Sequence, residues 1–280
     1  MKFEGRTGRN NSQIILLDSW KKFENEVATI FKEFEDKIKK QPEYFIYPPL
    51  FRGHEKSCWF LETTLERYSK KEYSVKDYYN ILRNKIHPDV KSLTLKSWRL
   101  KKNPEIKPFN PPPGYEFMVY LRHHGFPSPL LDWTSSPYVA GFFAFQKDRP
   151  QNQDEYIAIY HYGYHGYGEG GNYPVIFRLG PSIRTDKRHF IQQSWYTICI
   201  KKKVAEEDWI YCNHEKGFQE NEEEKGSIKK YLIPRNERSK ILSKLDFMNI
   251  NRYSLFGNEE FCNEEKLMAT LTYREIGRKE

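Results

Sequence analysis

The sequence has no paired C-x-x-C cysteines; its four cysteines, Cys58, Cys199, Cys212 and Cys262, are scattered. That spacing argues for neither a zinc site nor a disulfide framework, and a reducing, cytoplasmic setting is the default expectation. Long apolar runs are missing too. The longest covers residues 139–145, far too short to span a bilayer, so no membrane association is expected. Residues 1–12 are mostly polar and lack the apolar stretch of a signal peptide. G-x-S-x-G, H-E-x-x-H and P-loop motifs are absent. Gly166, Gly168 and Gly171 match the letters of G-x-G-x-x-G but lead into another strand, without the strand-to-helix context of a dinucleotide fingerprint. His161 and His165 stand four apart, yet Gly163 between them argues against a helical metal site, and no metal is expected. No internal repeat is evident.

What the chain has in quantity is aromatic surface and positive charge. Hydrophobic residues make up 38% of the 280 residues, but aromatics reach 16%, which excludes a disordered chain. Lys and Arg number 46 against 38 Asp and Glu, a net charge of +8 that suits an acidic partner. The length allows one large domain with a substantial core.

Trp20, Phe23, Val27, Ile30, Phe31, Phe34 and Ile38 recur at three- and four-residue intervals and predict an amphipathic helix, with Asp18 or Ser19 as its cap and Pro42 at its end. Residues 44–51 read as an edge strand leading into Arg52-Gly53. Residues 64–87 and 116–124 read as helices, and Ser136-Pro137 opens another. Residues 156–160, 175–179 and 190–200 are strand-like, and residues 206–224 read as an acidic, solvated insert. Between the strands at 156–160 and 175–179, residues 160–173 carry five Gly and five Tyr, as a binding loop or a long hairpin would. Lys96, Arg99, Lys101 and Lys102 surround Trp98. They form either a solvated face or a phosphate-contacting face on which Trp98 stacks a base.

Three segments concentrate chemistry. Phe51-Arg52-Gly53-His54 offers a guanidinium fork at a strand end, with a glycine that would let a ligand approach the backbone. Residues 122–137 gather His123, His124, Asp132, Trp133, Thr134 and Ser135 just before a helix N-terminus. Residues 188–195 place Gln192 and Gln193 in a strand-like run, where buried amides need partners.

These motifs carry a resemblance. Phe-Arg-Gly-His with Trp59, Leu61 and Leu65-Glu66-Arg67, then His124-Gly125, Leu130-Leu131-Asp132-Trp133-Thr134 and Phe142-Phe143-Ala144, is similar to the FRG-domain family, as are the later Ile233-Pro234 and Ser254-Leu255-Phe256-Gly257. Pro129 and Ser194 stand where that family usually has Arg and Gly. The order of parts also resembles ADP-ribosyltransferases. That likeness implies an α+β domain over residues 51–280, with a central, mostly antiparallel split sheet flanked by helices. Residues 1–50 would be an N-terminal helical segment packed on it. It further implies NAD as substrate, with Arg52 on the pyrophosphate, Thr134 or Ser135 at the nicotinamide ribose, and Gly53 and His124 also among the cofactor-binding residues. Trp133, or a Tyr of the glycine-rich loop, would stack on nicotinamide. Gln192 or Gln193 stands where a catalytic Glu is usual, so Asp132 or Glu55 is the candidate substitute carboxylate. The implied function is a bacterial toxin or phage-defence effector that modifies RNA or DNA, RNA placed first, and is checked by an antitoxin or chaperone. The alternatives are a non-catalytic nucleic-acid-binding module, or a nuclease using His123 or His124 as acid and base.

Overall fold

The computed structural model of the chain describes residues 6–7, 12–69, 71–105, 111–148, 155–163, 173–203, 208–220 and 227–256. Gly166, Gly168, Gly171, Gly257 and most of the glycine- and tyrosine-rich stretch lie outside the described residues.

The fold is α+β. Its strands are β1 (Arg6–Thr7), β2 (Gln13–Leu16), β3 (Leu50–His54), β4 (Leu131–Thr134), β5 (Tyr156–Tyr162), β6 (Val175–Leu179), β7 (Ser194–Lys203), β8 (Asp208–Tyr211) and β9 (Ile228–Pro234). They form one open sheet in the order β1-β2-β9-β5-β3-β4-β7-β6, with β8 also on β7. Among the described residues every strand pair is antiparallel except β2 with β9. The helices are α1 (Trp20–Lys40), α2 (Thr64–Tyr68), α3 (Val75–Ile81), α4 (His87–Thr94), α5 (Tyr115–His123), α6 (Pro137–Phe145), α7 (Lys187–Ile191), α8 (His214–Glu220), α9 (Arg238–Phe247) and α10 (Arg252–Phe256). None is long and apolar enough to cross a membrane.

Period-two alternation sorts the strand side chains between faces. Ile157 and Ile159 of β5 pack with Phe51, Tyr231 and Ile233 beneath α1, α6 and α9. Ala158, Tyr160 and Tyr162 point the other way, to Leu50, Trp133, Trp195 and Phe218 of α8. A third cluster joins α3 and α5 to Phe177, Tyr196 and Ile198. Residues 1–50 contribute to the sheet through β2 and to the core through Trp20, Phe23, Val27 and Ile30.

Several sequence expectations change. The first helix ends on Lys40 as the periodicity implies, and Ser19 holds the N-cap position, but its side chain makes no capping bond. The Glu237 carboxylate accepts from the Trp20 N–H across 217 residues. The strand expected at 44–51 forms only from Leu50 onward, since Pro48 and Pro49 cannot donate to a ladder. The helix expected at 64–87 breaks after Tyr68 and restarts at Val75, capped by Ser74. Residues 187–191 are helical, so Gln192 and Gln193 occupy the turn before β7. The described part of the acidic insert is not a solvated face: it supplies β8 and α8, with His214 and Phe218 fully buried.

The glycine of Phe-Arg-Gly-His serves the fold. A Cβ built on Gly53 would lie 1.9 Å from the Ala140 carbonyl oxygen and 2.8 Å from the Ala144 nitrogen, so α6 sits directly on β3. It is helix backbone, not a ligand, that makes the close approach. Gly53→Ala must push α6 away and is expected to cost more than about 1–3 kcal/mol, the usual range for overpacking. Denaturant unfolding checks this; wild-type stability in that variant would mean that α6 moves without cost.

Candidate functional site

β3 and β4 share a single residue pair, Phe51 with Thr134, and then part. A cleft of about 750 Å³ opens at that divergence. Arg52 crosses it. Its Nη1 donates to the Asp132 backbone oxygen at 2.6 Å and lies 3.8 Å from the Asp132 carboxylate, while its Nε donates to His54 Nε2 at 3.0 Å. The side chain of Asp132 also takes an ion pair from Arg122. One carboxylate therefore fixes two guanidinium groups in the same wall.

Two further arginines line the cleft, Arg67 and Arg188. Arg67 is delivered by α2, whose start is fixed by a reciprocal capping box: Thr63 Oγ1 accepts from Glu66 N–H at 3.2 Å, and the Glu66 carboxylate accepts from Thr63 N–H at 2.6 Å. Arg122 and His123 are delivered by the end of α5. There Gly125 takes φ +85° and Phe126 N–H donates to the Leu121 oxygen at 3.0 Å, a Schellman stop that a Cβ would strain. Arg188, on α7, donates to the His123 backbone oxygen at 2.6 Å.

The electrostatics follow from this crowding. Burial lowers the Arg52 pKa to about 10, with Asp132 acting against the shift and Arg122 and Arg67 adding to it. The group remains charged at neutral pH. Burial, then Arg52 and Lys230, hold the His54 imidazole well below its usual range, so it is neutral and accepts from Arg52. Burial and Arg188 push His123 down to about 4. Arg122 Nε and His54 Nδ1 are buried without a hydrogen-bond partner among the described residues. Four guanidinium groups, Arg52, Arg67, Arg122 and Arg188, against three carboxylates, Glu55, Glu62 and Asp132, leave the lining with an excess of cationic donors, chemistry that can receive an anion.

The structure sorts the sequence candidates. Arg52, Asp132, Thr134 and Gln192 meet in the cleft. Thr134 Oγ1 donates to the Gln192 carbonyl at 2.7 Å and accepts from Ser136 N–H at 3.0 Å, tying β4, α6 and the turn before β7 together. Gln192 donates its side-chain amide to the Leu255 oxygen at 3.0 Å. Gln193, at φ +49°, turns aside to pair with Ser135, and neither residue lines the cleft. His124 does not line it either: it packs on Tyr120 at 4.4 Å while His123 faces the site. Trp133 lies on the same sheet face as Arg52 and borders the cleft, but its side chain is buried against Tyr162 and Trp195, with its indole N–H donating to Thr197 Oγ1 at 2.9 Å, so little of the ring is open to a ligand. Trp98 packs between Phe117 and Tyr120 at 4.7 and 4.6 Å and is not presented to a base. Lys96, Arg99, Lys101 and Lys102 are exposed, with Lys96 lying 3.7 Å from Asp186 and over the Tyr120 ring. Among the described residues no group of three or more His, Cys, Asp or Glu is placed to hold a metal.

Sequence reasoning did not single out Arg67, Arg122, Arg188 or His54 as site residues. A signal existed. Asp132 stands in an apolar run where an unpaired carboxylate is costly, and it requires cations nearby.

Residues 48–153 match the family model of the FRG domain. The match runs from just before β3 through α6, so the FRG segment holds Arg52, Arg67, Arg122, Asp132 and Thr134. Arg188 and Gln192 come from outside it. No curated protein and no solved structure matches the chain.

Asp132→Asn leaves Arg52 and Arg122 without their shared counter-charge. Although this adds net positive charge, both guanidinium groups lose the carboxylate that orients them, and pyrophosphate binding is expected to weaken at least about tenfold, whereas Asp148→Asn on the exposed surface changes nothing. Calorimetric titration with pyrophosphate compares the two, and equal affinity would reduce Asp132 to a turn residue. Stability should also depend on pH. His54, His123 and His214, the last lowered to about 3 by burial, are neutral in the fold but take up protons near pH 6.5 when unfolded. The unfolded state then binds more protons, so stability is lost as pH falls below about 6.5, by up to about 1.4 kcal/mol per unit for each histidine. Melting temperature should be flat from pH 7.5 to 6.5 and fall from 6.5 to 5; a flat profile throughout contradicts the neutral assignments.

Proposed function

We propose that this cleft binds NAD and that the protein transfers its ADP-ribosyl group to a nucleic-acid acceptor. One observation carries the reading. The arginine of the first core strand, the hydroxyl that ends the second and the glutamine before the third are far apart in sequence. Yet β3, β4 and β7 are neighbours, and Arg52, Thr134 and Gln192 face one cleft. Such adjacency is what the resemblance to ADP-ribosyltransferases calls for, and it supports the reading. The size of the cleft suits a dinucleotide, and its arginines suit a pyrophosphate.

In that reaction the bond between C1′ of the ribose and nicotinamide breaks, and nicotinamide leaves with the bonding pair. The acceptor nucleophile forms the new bond to C1′ and releases its proton to solvent. The enzyme groups position the dinucleotide and offset developing charge. Arg52, held at two points, and Arg122 would grip the pyrophosphate. The carboxylates offered in place of a catalytic Glu are already engaged: Asp132 by two arginines, and Glu55 by Lys147 at 3.3 Å. Gln192 gives its N–H to Leu255 and leaves its oxygen, a dipole end, for the positive ribose. A dipole stabilises less than a carboxylate, so turnover should be slow. Such a transfer onto RNA or DNA would be toxic in a cell, and an inhibitory antitoxin is the partner this reading calls for.

Incubation with NAD labelled in its adenylate half and total nucleic acid tests the proposal. Label transfer by the wild-type chain and its loss in both Arg52→Ala and Arg52→Lys are expected, because a point charge cannot replace a two-point fork. Full activity of the Lys variant would contradict the pyrophosphate role. RNA shortened without NAD would favour a nuclease, and binding without transfer a binding module.

A further inference from the structure

We propose that Trp59 and Phe60 form a stacking platform for an unpaired base of the acceptor strand, with Arg67 beside it to receive that strand's phosphate. This rests on the reading of the cleft as a site of transfer to nucleic acid and names the part of the cleft that takes the second substrate.

Of the six tryptophans, all of them described, Trp20, Trp133 and Trp195 are buried, and Trp98 and Trp209 are partly buried against the core beside α5. Trp59 is 39% exposed, its neighbour Phe60 is 41% exposed, and both line the cleft that holds Arg52. Partly exposed aromatic surface bordering an arginine-lined cleft is suited to contact with a ligand ring. A loose loop does not explain their exposure. The Trp59 oxygen accepts from Tyr160 O–H at 3.1 Å, the Trp59 N–H donates to the Lys56 oxygen at 3.3 Å, and Leu61 N–H donates to Glu215 at 2.9 Å. Backbone bonds therefore hold the segment while its rings face the cleft.

The platform is joined to the phosphate clamp through one residue. The Trp59 ring stands edge-on to His54, with centroids 6.0 Å apart at 68°, and His54 accepts from Arg52. Arg67 Nη1 is steadied by the Glu62 oxygen at 3.0 Å, and the Arg67 charge reaches both Arg52 and His54. Within this one lining, Arg52, Arg122, Thr134 and Gln192 are left to the dinucleotide, and Trp59, Phe60 and Arg67 to the acceptor strand, to which they offer a π-face and a cation. That chemistry recognises a base without reading its sequence and requires the base to be unstacked, so it selects single strands over duplex.

The test uses the full chain, a fluorescent mixed-sequence RNA octamer and, separately, NAD. Trp59→Ala should weaken the octamer by about 5- to 100-fold, as loss of one base stack does, and leave NAD affinity within about twofold. Trp59→Phe should restore most of the affinity, because the ring rather than the indole N–H does the work. Arg67→Gln should flatten the salt dependence by about 0.7 units, one phosphate contact on a single strand. The inference is overturned if Trp59→Ala leaves octamer binding unchanged, if NAD affinity falls alongside it, if duplex of the same sequence binds as tightly, or if the wild-type chain does not bind the octamer. Octamer binding through Trp59 with no binding of NAD would sink the transferase reading and leave the platform standing.

Discussion

One side chain stands where backbone hydrogen bonds would otherwise join the two halves of the sheet. β3 and β4 pair only at Phe51 and Thr134, and beyond that point the Arg52 guanidinium reaches across to the Asp132 carbonyl. A planar cation with several donors can span such a gap: Nη1 and Nε find fixed acceptors in the Asp132 oxygen and His54 Nε2. The same divergence that needs bridging makes the cleft, so closing the sheet and opening the site are one structural event. Burial makes the arrangement costly, and Asp132, shared between Arg52 and Arg122, is what makes it tolerable.

The surrounding elements keep that bridge in place. α6 rests on β3 without a side chain between them at Gly53, and Ser136 caps α6 by accepting from Val139 N–H at 3.2 Å. Thr134 uses its hydroxyl both as donor and as acceptor, coupling the end of β4 to the turn that carries Gln192. α5 stops after His123 and α2 starts under its capping box, which fixes the arginines that complete the wall. Charged groups held this rigidly lose little on meeting a ligand, which is the condition for electrostatic preorganisation.

Much of this was legible in the sequence, and the failures have physical causes. Period 3.6 revealed α1 and α5, and the Ser136-Pro137 pair revealed α6, because each signal is local. β9 was missed because residues 228–234, though buried in the sheet, open on Lys229 and Lys230 and follow an acidic run. Arg52 was found from its place beside Gly53, but the reason given for Gly53 was wrong, since sequence cannot say whether a ligand or a helix approaches. A carboxylate in the apolar run at Asp132 needs a cation nearby; that Arg52 and Arg122 supply it depends on where α5 and the sheet converge. The chemistry of Trp133 and Trp98 suits a stacking ring, yet Trp133 is buried and Trp98 is partly buried against Phe117 and Tyr120, because facing elements, not residue type, decide which aromatic ring meets water.

On the proposed function, the gap bridged by Arg52 receives the pyrophosphate of NAD. A crystal structure of the full chain grown with NAD tests this most directly. Pyrophosphate oxygens are expected within hydrogen-bonding reach of Arg52 and Arg122, with the ribose C1′ facing Gln192. A dinucleotide bound elsewhere on the chain, or a cleft that stays empty of NAD at millimolar concentration, would contradict it.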